Sequence, residues 1–179
     1  MDCHMPRLNE GMQDIVRTHT IFSPTHHEMI ESNQPNACNL CHTDQTIEWT
    51  VENLHQWYGD EYSKGQISRN YPEPSRPATI NWLQNDFKSV RLVAADALAR
   101  TKAVWALPEL IDALDDPYLL NRQFAQTGLE SMLEIQLSDY DYRYYMGPPE
   151  RPPSLARLRA ALSIANSKAP LPRGTCGWV

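Results

Sequence analysis

The chain has 179 residues, 41% of them hydrophobic, with 22 acidic against 16 basic side chains and a formal net charge of −6. That size supports a modest core in one or two small domains, and the acidic balance argues against nucleic acid as a partner, since phosphate binding selects a basic face. Fourteen prolines and few alternating β-branched runs argue against a large sheet, and no apolar run approaches the length of a membrane span.

Residues 1–30 are polar, with neither the apolar stretch nor the small-residue cleavage site of an export signal. Cys38-Asn39-Leu40-Cys41-His42 follows, in a neighbourhood of Pro, Asn, Asp and Thr. A helix is expected from Ile47 to Leu54 and on past His55. Residues 60–86 read as irregular, with Tyr71-Pro72-Glu73-Pro74-Ser75-Arg76-Pro77 as a proline-broken linker. From Lys88 the apolar residues Val90, Leu92, Val93, Ala94, Ala97 and Leu98 recur at helical spacing, with Ser89 as the expected N-cap. A second helix is expected from Val104 to Leu114, stopped by Asp115-Asp116-Pro117.

Val90-Arg91, Ala94, Ala95 and Leu98 align with Asn121-Arg122, Ala125, Gln126 and Leu129 at one constant offset. Helix pairs at a fixed period are the mark of an α-solenoid. The Tyr- and Pro-rich stretch from Tyr140 to Pro153 is either a docking surface or a loop packed over the helices. A last amphipathic helix is expected from Ser154 to Ser167. The fold class is therefore mostly α. A loop-rich module spans 1–59, a Pro-rich linker 60–87, a helical repeat module 88–167 and a tail 168–179.

The chemistry lies in C-x-x-C-H. Two thiols at this spacing suit the two vinyl groups of one haem, and the histidine supplies an axial nitrogen to its iron. Cys38 and Cys41 are thus the expected thioether anchors of haem c and His42 its proximal ligand. Three other readings stay open. A structural zinc site needs a second ligand pair, whereas Cys3 and Cys176 are single and lie at opposite ends. A thioredoxin-like C-x-x-C sits beside a βαβ pattern, which is not evident here. A disulfide leaves His42 without a role.

The chain opens Met1-Asp2-Cys3-His4. One cysteine ahead of Met1 would complete a second pentad, and the expectation is that the chain starts one residue inside it. Cys3 is then a thioether anchor of a second haem and His4 its proximal iron ligand. A chance Cys-His pair is the alternative. All six histidines, His4, His19, His26, His27, His42 and His55, fall in the first third of the chain, which separates a haem-binding part from a haem-free one.

Cys3-His4-Met5-Pro6-Arg7, Arg17-Thr18-His19, Ser23-Pro24-Thr25, the run from Pro35 to His42, Trp49 and Trp57-Tyr58-Gly59 carry a resemblance to a family of multihaem c-type cytochromes of bacterial envelopes. It covers about a third of the chain. The likeness implies six-coordinate haems with a histidine on each face, passing electrons between closely spaced irons. His19, inside the Arg-Thr-His block, is the expected distal iron ligand. His27 is a second distal candidate, with its neighbour His26 competing for the place; His55 reads as a surface or packing histidine. Met5, Met12 and Met29 are thioether alternatives. Trp49, Trp57 and Tyr58 either edge a haem or fill the small core between the two parts.

The block from Arg91 to Asp116 resembles short bacterial HEAT-like repeats. Cys176 is followed by no histidine and is not expected to serve a haem. The function expected from these likenesses is electron transfer by covalent haem c, on the periplasmic or extracellular side of the envelope. The partners would be other haem proteins or redox proteins, with a protein partner on the helical repeat. Two alternatives are a haem subunit of an enzyme acting on a small substrate, and a HEAT-like scaffold with a structural or sensory haem.

Overall fold

The computed structural model describes residues 4–8 and 15–162. Cys3, the 163–179 segment and with it Cys176 lie outside the described residues. The described chain is mostly helical. A two-residue ribbon comes first, β1 (Arg7–Leu8) antiparallel to β2 (Val16–Arg17), pairing Arg7 with Arg17 and Leu8 with Val16. Eight α-helices follow among the described residues: α1 (His27–Glu31), α2 (Ile47–Tyr58), α3 (Lys64–Asn70), α4 (Ala78–Leu83), α5 (Lys88–Arg100), α6 (Leu107–Asp112), α7 (Leu119–Leu133) and α8 (Arg151–Ala161).

The helix expected after the pentad forms as α2. The Thr46 hydroxyl caps it by accepting the Trp49 N–H at 3.1 Å, satisfying one of the unpaired donors of a first turn. Gly59 ends it in the left-handed region at φ 75°, its N–H returning to the His55 carbonyl, a conformation glycine adopts without steric cost. Ile47, Thr50 and Leu54 form its buried stripe.

The 60–87 segment is not a bare linker. It carries α3 and α4 and buries Tyr71 and Trp82. The Tyr71 hydroxyl donates to the Ile30 carbonyl at 2.8 Å. Asn81 accepts from the Glu73 N–H and donates to the Glu73 carbonyl, both at 2.9 Å. Helices this short cannot show a period, and the prolines end one and start the other.

Beyond it, α5 begins at Lys88, but Ser89 is not its cap. The chain turns in at Phe87, whose N–H donates to Asn85 Oδ1 at 2.9 Å. The same arrangement recurs further along, where the Tyr118 N–H donates to Asp116 Oδ1 at 2.7 Å and α7 starts. The Val90 and Arg91 N–H groups return to the Phe87 carbonyl, as those of Asn121 and Arg122 do to Tyr118. The offset visible in the residues is thus also an offset in hydrogen bonding.

The helix expected from Val104 to Leu114 resolves into a 3-10 turn (Val104–Ala106), α6 and a second 3-10 turn (Ala113–Asp115). The last helix begins at Arg151, ahead of the expected start at Ser154, with proline in its first turn where no N–H is needed.

Two apolar clusters make the core of the described residues. Ile15, Ile30, Leu40, Ile47, Leu54, Tyr71 and Trp82 form the first with Val90, Leu92, Val93, Ala94 and Ala97 of α5. Ala95 and Leu98 of the same helix join Leu110, Ile111, Leu114, Leu129 and Leu158 in the second. α5 is therefore buried on both sides, which explains its nearly continuous apolar run. The pentad module and the helical module share this helix rather than meeting across a linker.

Candidate functional site

Cys38 to His42 forms one helical turn. The His42 N–H returns to the Cys38 carbonyl at 2.8 Å, and the Leu40 N–H to the Asn36 carbonyl at 3.1 Å. The spacing i, i+3, i+4 is that of one side of a helical turn; Cys38 packs against the first core cluster, while Cys41 is exposed. Asn39 and Leu40 are buried, and Leu40 joins the first core cluster. Cys38 and His42 are half-buried.

Asn39 is the node that holds the turn. Its Nδ2 donates to the Gln45 carbonyl at 3.0 Å, and its Oδ1 accepts from the Thr50 hydroxyl at 2.7 Å and from Asn36 Nδ2 at 3.0 Å. Its own N–H donates to Asn36 Oδ1 at 3.0 Å. A second brace follows at Thr43, whose carbonyl accepts the Thr79 hydroxyl of α4 at 2.7 Å. The Thr43 hydroxyl lies 3.1 Å from that of Thr101, at the end of α5. A buried, fully bonded polar network of this kind fixes one geometry. The turn is thus braced to α2, to α4 and to the end of α5.

The His42 ring lies against Trp49 of α2, centroids 4.9 Å apart and tilted by 47°. Among the described residues its ring nitrogens make no hydrogen bond. Trp57 and Tyr58, by contrast, are 60% and 62% exposed and fill no core.

His4 and His19 are brought to one end of the N-terminal ribbon. The Thr18 N–H donates to the Pro6 carbonyl at 3.0 Å and the Phe22 N–H to the His4 carbonyl at 2.8 Å. The ribbon itself ends at Arg7 and Arg17, and the bond from Phe22 to His4 holds the segment that follows His19 against His4. His4 Nδ1 is 3.1 Å from the Phe22 carbonyl, and both histidines are exposed.

His27 stacks on Tyr62 at 4.5 Å and 28°, with its Nδ1 3.6 Å from Glu31 Oε1. Tyr62 belongs to the cluster against which Cys38 also packs, so one ring separates His27 from that part of the core. Burial, and then the neighbouring Asp60, Cys38 and Glu31, push the Tyr62 phenol far above its ordinary range. Its hydroxyl donates to the Thr25 carbonyl at 3.1 Å. His26 is exposed at the start of α1.

A feature that sequence reasoning missed lies beside α2. A groove of about 770 Å³ is lined by Val51, Glu52 and His55 of α2 together with Tyr62 and Ile67. His55, read as a surface or packing residue, borders it, with Nδ1 3.1 Å from the Asp60 carbonyl. The signal was the i, i+3, i+4, i+7 spacing of Glu48, Val51, Glu52 and His55. Among the described residues no three His, Cys, Asp or Glu side chains converge as a ready-made ion cage. No helix of the described residues is long and apolar enough to cross a membrane. Comparison with protein-family models, with curated proteins and with solved structures finds no match.

Proposed function

We propose that the chain is an electron-transfer protein of the multihaem c-type cytochrome kind, with haem c carried on Cys38, Cys41 and His42. The observation that supports this most is the turn itself, whose backbone bonds from Cys41 and His42 to the Cys38 carbonyl close the segment that carries both thiols and the imidazole. The residues present fit the group. Covalent attachment asks for two thiols at this spacing and one axial imidazole, and the His42 nitrogens are not committed to protein hydrogen bonds among the described residues. Bound there, haem supplies an iron that cycles between ferric and ferrous states.

The chain's own contribution is positional. Asn39 and Thr43 keep the thiols and the imidazole from drifting, and Trp49 shields one side of the His42 ring from water. A second haem on Cys3 and His4 is part of the same proposal, with His19 as distal ligand. The bond from the Phe22 N–H to the His4 carbonyl, which keeps the segment after His19 against His4, supports that pairing. His27 is proposed as a further distal ligand. We read the part from α5 to α7 as HEAT-like on the strength of the hydrogen bonds that recur from one repeat to the next. A periplasmic or extracellular location and redox-protein partners belong to the same reading.

The test is export of the chain, behind a signal peptide, in a host that attaches c-type haem. Mass spectrometry of the peptide containing residues 38–42 should show one added haem, and the reduced protein a c-type α band. A chain recovered folded and exported from that host with no covalent haem would overturn the reading.

A further inference from the structure

The groove between α2 and α3 has the size of a recognition pocket, about 300–1,000 Å³ in typical proteins. Its floor is apolar, made by Val51, Tyr62, Ile67 and Pro74. Its rim is acidic, with Glu48, Glu52, Asp60 and Glu61 facing one ammonium, Lys64. Among the described residues none of those four carboxylates forms a salt bridge. Four carboxylates thus outnumber one ammonium at the groove, in a chain already at −6.

A second observation points to the same sign of partner. Tyr58 lies seven positions after Val51 and three after His55, which continues the groove stripe of α2. Its ring and that of Trp57 are mostly exposed. Exposed aromatic faces attract lysine and arginine, and aromatic residues are enriched in protein interfaces. The floor also reaches the attachment turn, because Tyr62 lines the groove and belongs to the cluster that Cys38 packs against.

We propose that this groove docks a lysine- or arginine-bearing segment of a redox partner protein. One apolar side chain of that segment enters between Val51 and Ile67, and its flanking cations meet Glu48, Glu52 and Glu61. The partner's redox character rests on the electron-transfer reading; its charge and shape rest on the groove alone. Complementary charge of this kind steers encounter and sets orientation. It would bring a partner to the side of the turn where Cys38 is seated.

The experiment uses the full, haem-loaded chain and a labelled lysine-rich peptide with a central leucine, read by fluorescence anisotropy. Saturable binding is expected, weakening steeply as salt rises. The triple variant Glu48→Gln, Glu52→Gln, Glu61→Gln should weaken it about tenfold, from three lost surface ion pairs. Asp86→Asn, Glu134→Gln, Asp139→Asn, which removes the same charge elsewhere, should leave binding unchanged. Equal loss in both triple variants, or no saturable binding, overturns the proposal. The haem spectrum is recorded on the same samples. An intact spectrum without binding sinks the groove and spares the electron carrier; binding to a chain that takes up no haem does the reverse.

Discussion

Arg91 grips Asp116 with two hydrogen bonds, Nε to Oδ2 at 2.6 Å and Nη2 to Oδ1 at 3.2 Å. Asp116 stands as Asn85 does earlier in the chain, and each accepts the N–H that opens the next helix. Arg91 Nη1 also donates to the Asn85 and Asp86 carbonyls, while Arg122 Nη1 donates to those of Asp116 and Pro117. One arginine thus closes its own turn and clasps the next. Removing it leaves a half-buried carboxylate short of its main partner, and Arg91→Ala should cost about 2–3 kcal/mol in urea unfolding.

The same pair sets a pH dependence. Burial alone would raise the Asp116 carboxyl, but hydrogen bonds from Arg91, the Tyr118 N–H and Asn121, with the Arg91 charge, outweigh it and hold the carboxyl below its usual range. A group depressed in the folded state contributes stability above its unfolded value, about 3.9 for aspartate, and loses it as pH falls through the folded value. The stability gap between wild type and Asp116→Asn should therefore be widest near about pH 7 and shrink below about pH 4. An unchanged gap in urea titrations at the two pH values would count against this role.

Gly128 of α7 is where that helix touches α5. A Cβ built on it lies 2.6 Å from the Ala99 Cβ. Gly→Ala inside a helix ordinarily gains up to about 1 kcal/mol, but overpacking costs about 1–3 kcal/mol. Gly128→Ala should therefore lower stability by about 1 kcal/mol, and Ala99→Gly in the same chain should recover part of it. Thermal or urea unfolding of the three variants decides it.

Asn39 touches no reactive atom, yet it holds the turn. Asn39→Leu strands the Thr50 hydroxyl, the Asn36 amide and the Gln45 carbonyl in the interior, at about 2–4 kcal/mol in total. The expected outcome is a chain that retains both thiols and His42 but takes up markedly less covalent haem under the same export conditions. Haem per chain by absorbance, set against thiol titration, measures it.

His42→Met separates attachment from ligation. Under the haem proposal the thioethers would depend on Cys38 and Cys41, so the added mass should persist. A methionine axial ligand raises the potential relative to histidine, so the midpoint should move positive. Cys38→Ala with Cys41→Ala should instead abolish the added mass on that peptide. Mass spectrometry and potentiometric titration together distinguish the two outcomes.

Local chemistry made part of this molecule readable in advance. The pentad at Cys38 is a set of neighbours in sequence, and neighbours on one helical turn stay neighbours in space. The helix after it carries its own cap at Thr46 and its own stop at Gly59, so its limits depend on few distant contacts. The offset between Arg91 and Arg122 was visible in the residues alone, and both arginines bind carbonyls close to themselves in sequence. The linker was misread for the opposite reason. α3 and α4 are too brief to display a period, and the burial of Tyr71 and Trp82 is decided by Ile30 and α5, far away in sequence.

The chain by itself determined the thiol and imidazole set, the segregation of histidines and the mostly helical class, because these follow from spacing and composition. Only the tertiary structure decided that α5 is shared by both cores, that His27 stacks on Tyr62, and that His55 borders an acidic groove. Each of those depends on contacts between residues distant in sequence, which are fixed by how apolar faces pack and how buried polar groups find partners. No local pattern carries that information.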